Sequence, residues 1–152
     1  MTNALELDSA DKAIIAELQV DGRMPYAKLA PLVGLSEAAT RQRVNRLMER
    51  GVMQVVAITD PDVVGLGHQA LIGIHVGSDT RPVADELAQI DEVDYVVITA
   101  GRYDIIVEVF CSNVRDFLAV VEQKIRPAEG VRDLEILTYL DLVKQTYNWG
   151  IR

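Results

Sequence analysis

The sequence of 152 residues has few of the residue types that carry catalytic, metal-binding or redox chemistry. It contains one cysteine, Cys111, and two histidines, His68 and His75. A single cysteine cannot form a disulfide within its own chain, and the alternating apolar run around it predicts a buried thiol. Neither histidine belongs to a nucleophile-histidine-acid set or a metal-spaced cluster. We therefore expect no catalytic site, no metal site and no cofactor.

Long apolar runs are also missing from the sequence. No stretch approaches the roughly 18 apolar residues that a membrane-spanning helix needs. The opening residues, MTNALELDSADK, lack the basic and apolar regions of a signal peptide. With 49% hydrophobic and 25% charged residues, the composition is that of a globular domain with a packed core. We expect a cytoplasmic protein with no membrane partner.

The acidic charge of the chain is unevenly distributed. A formal net charge of −8 argues against a nucleic-acid partner, because phosphate binding depends on clustered lysine and arginine. Most of the acidic excess lies after residue 60, however, and residues 22–50 carry six basic side chains against only Glu37 and Glu49. This local basic patch predicts a surface that can contact DNA.

The first 52 residues predict three helices. Asp8 is an N-cap candidate for a first helix in LDSADKAIIAELQVDGR, where apolar residues recur at helical spacing. The segment YAKLAPLVG predicts a short second helix that ends at Gly34, although Pro31 removes one backbone hydrogen bond and can distort the turn. Ser36 is expected to cap the third helix, SEAATRQRVNRLMER.

The third predicted helix has the composition of a DNA-reading helix. Two short helices joined by a glycine-containing turn, the second of them basic, form the outline of a helix-turn-helix. An inward stripe of Thr40, Val44 and Leu47 leaves the other face to DNA. The candidate DNA-binding residues are Ser36, Arg41, Gln42, Arg43, Asn45, Arg46 and Arg50.

These candidates divide by the kind of contact that we expect. Arg41, Gln42 and Asn45 can bond base edges, whereas Arg46 and Arg50 can hold phosphates and Ser36 offers a further anion contact. Arg43 lies closer to the buried stripe, so an ion pair with an acid of the first helix, such as Asp11 or Glu17, is an equally good prediction. Both alternatives for Arg43 stay open.

The segment VMQVVAI predicts a strand that could serve as a wing, and TDPDVVGLG predicts a hinge because it combines aspartate, proline and glycine. Beyond it, four apolar runs of strand type alternate with two helical patterns in the order βαββαβ, which indicates a ferredoxin-like arrangement. The predicted domains are a helix-turn-helix at residues 1–52, a strand and hinge linker at 53–68, the βαββαβ domain at 69–142 and a tail at 143–152.

The predicted strands of the second domain are apolar on both sides. An antiparallel sheet with helices on one face should alternate cleanly if its other face is wet. A second copy of the same sheet is therefore the expected cover, which predicts a homodimer. In the tail, the large apolar bodies of Tyr147 and Trp149 suggest docking on a neighbouring subunit, although a loose end fits equally well.

The sequence resembles the Lrp/AsnC family of feast-or-famine transcription regulators over nearly its whole length. The likeness rests on LDSADKAIIAELQVDGR, LAPLVGLS, AGRYD, which looks like the family's Gly-x-x-Asp turn, IRPAEGV, and the series Arg43, Val44, Leu47, Gly51 and Val52. The resemblance implies an α+β protein with an N-terminal winged helix-turn-helix and a C-terminal ferredoxin-like βαββαβ ligand-sensing domain. It also implies double-stranded DNA as a partner, dimers that commonly assemble into octamers, and amino acids or related metabolites as effectors.

The resemblance places an effector site at the AGRYD turn. Gly101 leaves backbone N–H groups open to a ligand carboxylate, and Asp104 can accept hydrogen bonds from an α-ammonium group. A hairpin turn that binds nothing is the alternative interpretation. Leu134 and Ile136 stand where family members usually have threonines, which predicts an aliphatic or aromatic effector, or a lost response. The candidate effector-binding residues are Thr99, Gly101, Arg102, Tyr103, Asp104, Leu134, Ile136 and Thr138.

The leading functional prediction is therefore a sequence-specific transcriptional regulator, not an enzyme, which responds to a small metabolite bound between dimers. One alternative is an enzyme similar to the siroheme decarboxylases, which resemble this family and use histidines around a tetrapyrrole. Another is a sensor or partner-binding module whose helix-turn-helix no longer binds DNA, which the net acidic charge favours.

Overall fold

The computed structural model describes residues 6–147 of the chain, which divides into two compact units. Unit 1 comprises Met1–Ile58 together with Lys144–Arg152, and unit 2 comprises Thr59–Val143. The chain thus crosses from one unit to the other twice, and its tail belongs to the same unit as its first helices. Of the helices at residues 6–147, none is long and apolar enough to cross a membrane.

Unit 1 contains the three predicted helices, namely α1 (Ser9–Val20), α2 (Tyr26–Leu32) and α3 (Glu37–Glu49). Both predicted N-caps are confirmed, since the Asp8 side chain accepts a hydrogen bond from the Asp11 N–H at 2.8 Å and the Ser36 hydroxyl accepts one from the Ala39 N–H at 3.2 Å. Gly34 lies between α2 and α3 with φ +70°, a left-handed conformation that suits glycine. Pro31 lies one residue before the end of α2, so the turn forms despite the lost hydrogen bond.

The core of unit 1 lies among these three helices. Ile14, Leu29, Val44 and Leu47 are at most 2% exposed, and they pack in one cluster. Thr40 is fully buried, and its hydroxyl donates to the Ser36 carbonyl at 2.9 Å, which satisfies the only polar group of the stripe. The inward stripe predicted for the third helix is therefore confirmed.

The strand predicted over residues 52–58 is not formed. Residues 53–58 make no backbone hydrogen bond to another residue of the 6–147 range, and Val55, Val56 and Ile58 are 48 to 64% exposed. A β-strand needs a neighbouring strand to satisfy its N–H and C=O groups, and the described chain places none beside this segment. The predicted strand at residues 52–58, and with it the predicted wing, is therefore absent from the part of the chain that the structure describes.

Unit 2 has the predicted βαββαβ order. Its elements are β1 (His68–Val76), α4 (Thr80–Leu87), β2 (Val93–Ile98), β3 (Ile105–Cys111), α5 (Val114–Val120), a π-helical turn (Val121–Ile125) and β4 (Val131–Thr138). The four strands form one antiparallel sheet in the order β2-β3-β1-β4. Both middle strands of the sheet, β3 and β1, therefore lie between neighbours.

One face of this sheet is covered by the helices and the other is not. Ile72 and Val107 are fully buried in a single cluster with Leu87 of α4 and Phe117 of α5. Cys111 belongs to the same cluster, which confirms the predicted buried thiol, and burial raises the pKa of that thiol. Because both helices pack on this face, they leave the opposite face without a helical cover.

The opposite face carries apolar and acidic side chains together. Residues paired directly across strands project to the same side, so Leu71 shares this face with its partners Glu108 and Leu137. Leu137 is 45% exposed and Tyr95, on the neighbouring strand, is 52% exposed. We refer to this side as the open sheet face.

We expect Leu47→Ala to destabilise unit 1 by about 2 to 5 kcal/mol, because it removes a fully buried side chain from a packed core. Hydrogen exchange of the amides in α1, α2 and α3 measures this unit separately from unit 2. The matched control is Leu32→Ala, which truncates a leucine that is 55% exposed and should cost less than about 1 kcal/mol. Equal losses in both variants would contradict the assigned core.

Candidate DNA-binding and effector sites

The outward face of α3 displays the residues predicted to bond base edges. Gln42 and Asn45 are exposed, and together with Arg41, Glu37 and Ala38 they line a shallow depression on the helix surface. Residues 42 and 45 are one helical turn apart, which places both amides on the same side of α3. Neither amide makes a hydrogen bond within residues 6–147, so the donor and acceptor of each are available to a partner.

Arg41 occupies one flank of this face. Its guanidinium donates to the Glu37 carboxylate at 3.0 Å and lies 5.3 Å from the centre of the Tyr26 ring. Both charged side chains of the pair are at least half exposed, at 59% and 50%. An exposed pair four residues apart on a helix is worth only about 0.3 to 0.5 kcal/mol, so a base or a phosphate can displace Glu37.

Arg43 and Arg46 occupy the other flank, and both are bonded to the start of α1. Arg43 donates to Asp8 at 2.6 Å and to Asp11 at 2.8 Å, while Arg46 donates to both carboxylate oxygens of Asp11 at 3.0 Å. Asp11 is 3% exposed. A buried carboxylate thus joins α1 to α3, and of the alternatives for Arg43 the structure forms the ion pair with Asp11.

These contacts shift the ionisation of two of the groups. The Asp11 backbone N–H and then the Arg43 guanidinium lower the pKa of the Asp8 carboxyl, and hydrogen bonds to Asp8 and Asp11 raise the pKa of Arg43. Sequence reasoning missed the pairing of Arg46 with Asp11. The sequence does contain a pattern that indicates this pairing. Asp8 and Asp11 are three residues apart at the start of α1, and Arg43 and Arg46 are three residues apart on α3.

The remaining DNA-binding candidates lie at the two ends of α3. Ser36 is exposed at the beginning of the helix and Arg50 is exposed just after its end. Arg50 has no ion pair within the part of the chain that the structure describes. Arg46 and Arg50 are the two arginines predicted to hold phosphates. Within residues 6–147, Arg50 has no carboxylate partner, whereas Arg46 is paired with Asp11. Both phosphate contacts stay predictions.

The Gly101–Asp104 segment connects β2 to β3 and is fixed by backbone hydrogen bonds. The Thr99 N–H donates to the Asp104 carbonyl at 2.9 Å, and the Thr99 hydroxyl donates to the Tyr103 carbonyl. One carboxylate oxygen of Asp104 accepts a hydrogen bond from the Val76 N–H of β1 at 2.8 Å. One oxygen of the Asp104 carboxylate is therefore engaged with β1, and whether the other binds an effector stays a prediction.

Tyr103 and Arg102 lie over the open sheet face. A Cβ added to Gly73 would stand 2.6 Å from the Tyr103 ring, so the missing side chain of Gly73 makes the space that this ring occupies. The Tyr103 hydroxyl donates to Glu135, which raises the pKa of that hydroxyl, and Arg102 pairs with Glu135 at 2.8 Å. The His75 ring centre lies 5.4 Å from that of Tyr103.

The structure separates the remaining effector candidates from this cluster. In β4, Glu135 pairs with Gly73 and projects to the open sheet face, so its neighbours Leu134 and Ile136 project to the helix face. Thr138, two residues further along, projects to the helix face as well. Leu134 packs against the core of unit 2, while Ile136 is 37% exposed. The single chain thus brings Thr99, Arg102, Tyr103 and Asp104 together, but not with Leu134, Ile136 or Thr138.

Glu135 is the member of this cluster that sequence reasoning missed. The sequence could have indicated it only through the alternation of a strand, because an acid between Leu134 and Ile136 projects to the face opposite theirs. A Cβ added to Gly101 would meet no atom within 4 Å, so the backbone there is open to a ligand. Over residues 6–147, no group of three or more histidine, cysteine, aspartate or glutamate side chains is placed to hold a metal ion.

Two family models match the sequence. An AsnC-type helix-turn-helix domain matches residues 7–48, and a C-terminal dimeric alpha+beta barrel domain matches residues 67–152. The first match contains all three helices of unit 1 except the last residue of α3, and the second contains the whole sheet of unit 2.

The chain is also similar to known proteins over most of its length. It is 33% identical over 148 residues to an uncharacterized HTH-type transcriptional regulator of Pyrococcus abyssi, with 96% of this chain and 91% of the relative covered. The crystal structure of the leucine response regulatory protein of Mycobacterium tuberculosis is 31% identical and superposes with a TM-score of 0.81, covering 91% of this chain and 96% of that one.

A third similar protein is a transcriptional regulator of Neisseria meningitidis solved as a complex with L-Met. It superposes with a TM-score of 0.84 at 27% identity, covering 95% of this chain and 97% of that one. Two of these proteins are named as transcriptional regulators and the other as a regulatory protein, so they give no support to a siroheme-decarboxylase-like activity.

We expect Asp11→Asn to destabilise unit 1 by about 1.5 to 3 kcal/mol, because it removes the charge that accepts hydrogen bonds from two arginines. Urea unfolding measures the loss in the free energy of unfolding, and hydrogen exchange of the amides in α1 and α3 shows that the loss falls on unit 1. Glu37→Gln is the matched control. It removes one charge of the exposed Glu37–Arg41 pair within α3 and should cost at most about 1 kcal/mol. If Asp11→Asn were as stable as the wild type, the buried link between α1 and α3 would be refuted.

Proposed function

The chain belongs to the Lrp/AsnC family of helix-turn-helix transcriptional regulators, and from this we propose that it is a sequence-specific regulator which responds to an amino acid or a related metabolite bound between dimers. Binding of DNA through the helix-turn-helix and a dimeric C-terminal domain follow from the family. Sequence selectivity, the effector and its place between dimers are the parts that we add.

The outward face of α3 is the observation that carries the proposal. Gln42 and Asn45 present two amides that make no hydrogen bond within residues 6–147, and a side-chain amide can bond adenine bidentately in the major groove. Arg41 beside them can bond guanine once its weak pair with Glu37 opens. Because Arg43 and Arg46 hold α3 from the opposite flank, the base-reading groups are presented on a helix with a fixed orientation.

Phosphate contacts would position this helix on the duplex. Arg50 lies exposed just beyond α3 and Ser36 lies at its beginning, so the two residues could contact phosphates at opposite ends of the reading helix. The basic residues are concentrated in residues 22–50, while the chain as a whole is acidic. That distribution restricts attraction to DNA to one region and disfavours binding elsewhere.

The open sheet face supports the dimer. Tyr95 and Leu137 expose apolar surface on a face that no helix of unit 2 covers, and a second copy of this face would bury it. Two chains give two α3 helices, which suits a pseudo-palindromic site with two half-sites. Assembly of such dimers into octamers remains part of the proposal.

The Arg102–Tyr103–Glu135 cluster supports an amino-acid effector. Arg102 and Glu135 place charges of opposite sign within 2.8 Å of each other, and both side chains remain accessible at 73% and 42% exposure. An amino acid carries a carboxylate and an ammonium group that could pair with these two charges. The relative from Neisseria meningitidis was solved with L-Met, an amino acid with an apolar side chain.

Selection of bound fragments from genomic DNA, followed by titration at several salt concentrations, tests the DNA-binding part. We expect Asn45→Ala to cost about 1 to 3 kcal/mol on the selected fragment and much less on unrelated DNA. Arg50→Ala should weaken binding to all DNA and reduce the salt slope by about 1. Arg81→Ala, which removes an exposed arginine of unit 2, is the control and should change neither quantity.

Failure to enrich any fragment would contradict this part of the proposal and would favour a sensor or partner-binding module without DNA binding. Equal losses for Asn45→Ala on selected and unrelated DNA would contradict base reading by α3, because such a loss has no sequence dependence.

Calorimetric titration with the twenty amino acids tests the effector. We expect binding of amino acids with aliphatic or aromatic side chains, and a loss of about ten- to a hundredfold in affinity in Arg102→Ala, because a hydrogen bond to a charged group is worth about 1.5 to 3 kcal/mol. Arg115→Ala, a change of an exposed arginine at the start of α5, should leave the affinity unchanged. Binding restricted to charged amino acids would contradict the apolar effector.

A further inference from the structure

An apolar groove lies within unit 1, between α1 and residues 53–58, which belong to no helix or strand. One wall is formed by residues of α1 together with Leu7 and Gly22 on either side of it, and the other by Val52 and residues of the 53–58 segment. Thr146 and Tyr147, the last residues that the structure describes, line the same groove. The apolar side chains lining it are Leu7, Ile15, Leu18, Val52, Met53, Val55, Val56 and Ile58.

The groove has the features of a surface that is covered by another segment. Val55, Val56 and Ile58 are 48 to 64% exposed side by side along one wall of the groove, and contiguous exposed apolar surface often marks a contact site. The backbone of residues 53–58 makes no hydrogen bond to any residue between 6 and 147. An extended segment laid beside it could therefore bond to its N–H and C=O groups as well as cover its side chains.

The chain itself supplies such a segment. It reaches the groove at Thr146 and Tyr147 and then continues for five residues, Asn-Trp-Gly-Ile-Arg, which lie outside the described residues. Five extended residues reach roughly 17 Å, about the length of the six-residue segment. Apolar residues recur at every second position, at Tyr147, Trp149 and Ile151, which is the pattern of an extended segment with one side on an apolar surface.

We propose that residues 148–152 of the same chain occupy this groove, with Trp149 as the apolar anchor. Lys144–Tyr147, which lead into this segment, belong to unit 1, the unit that contains the groove. The inference goes beyond the proposed function and does not depend on which effector binds.

Tryptophan fluorescence of the full-length protein tests the proposal, because Trp149 is the only tryptophan of the chain. We expect the wild-type emission to be blue-shifted and protected from acrylamide. Val55→Asp places a charge in the groove at a half-exposed position, and it should shift the emission to that of the protein unfolded in urea. Val20→Asp is the matched control, since Val20 is on α1, is 85% exposed and does not line the groove.

Circular dichroism of both variants checks that the helices remain folded, so that a shift in Val55→Asp reports the tail and not unfolding. If Trp149 of the wild-type protein emits and is quenched as it is in the unfolded protein, the proposal is overturned. Residues 53–58 of a second copy would then be the candidate occupant of the groove. An emission that stays blue in Val55→Asp would overturn it as well, because Trp149 would then be buried elsewhere.

A mixed dimer decides whether the tail docks on its own chain or on that of its partner. One chain carries Val55→Asp with Trp149 intact, and the other carries Trp149→Phe with Val55 intact. Docking on the same chain predicts an exposed tryptophan, because the groove of that chain carries the altered residue. A buried tryptophan in this dimer would show docking across the dimer and would overturn the proposal.

Discussion

The buried carboxylate of Asp11 accepts hydrogen bonds from Arg43 and Arg46, and the orientation of α3 depends on this contact. A carboxylate that is 3% exposed is costly unless cations neutralise it, so the two arginines cannot leave without a penalty. They are therefore part of the scaffold, although their charge first suggests a contact with phosphates. Because Arg43 and Arg46 occupy one flank of α3 in this way, the outward face beside them, with Gln42 and Asn45, is the part of the helix that we propose reads DNA.

The features that the sequence predicted well depend on neighbours a few residues apart. The caps at Asp8 and Ser36 and the Thr40, Val44 and Leu47 stripe follow from helical spacing, and the βαββαβ order follows from alternating apolar runs. Contacts between distant residues were harder to predict. Arg46 and Asp11 are 35 residues apart, and only the packing of α1 against α3 brings them together.

The strand predicted at residues 52–58 shows a second reason for failure, because its apolar residues predict extended backbone but cannot supply the neighbouring strand that defines a β-ladder. In unit 2, the strand assignments were right, yet the side to which each residue of β4 projects was set by its register with β1. Glu135 faces Tyr103 for this reason, while Leu134 and Ile136 face the helices. The predicted effector-binding residues of β4 and the Tyr103–Glu135 contact therefore lie on opposite faces of this edge strand.

The central claim is that α3 reads base edges while Arg43 and Arg46 hold it to α1. The most direct measurement is a crystal structure of the protein bound to a DNA fragment selected from genomic DNA. Our account predicts α3 in the major groove, with Gln42 and Asn45 within hydrogen-bond distance of bases and Arg46 still bonded to Asp11. A complex in which α3 lies away from the groove, or in which Arg46 leaves Asp11 to bond a base, would contradict it.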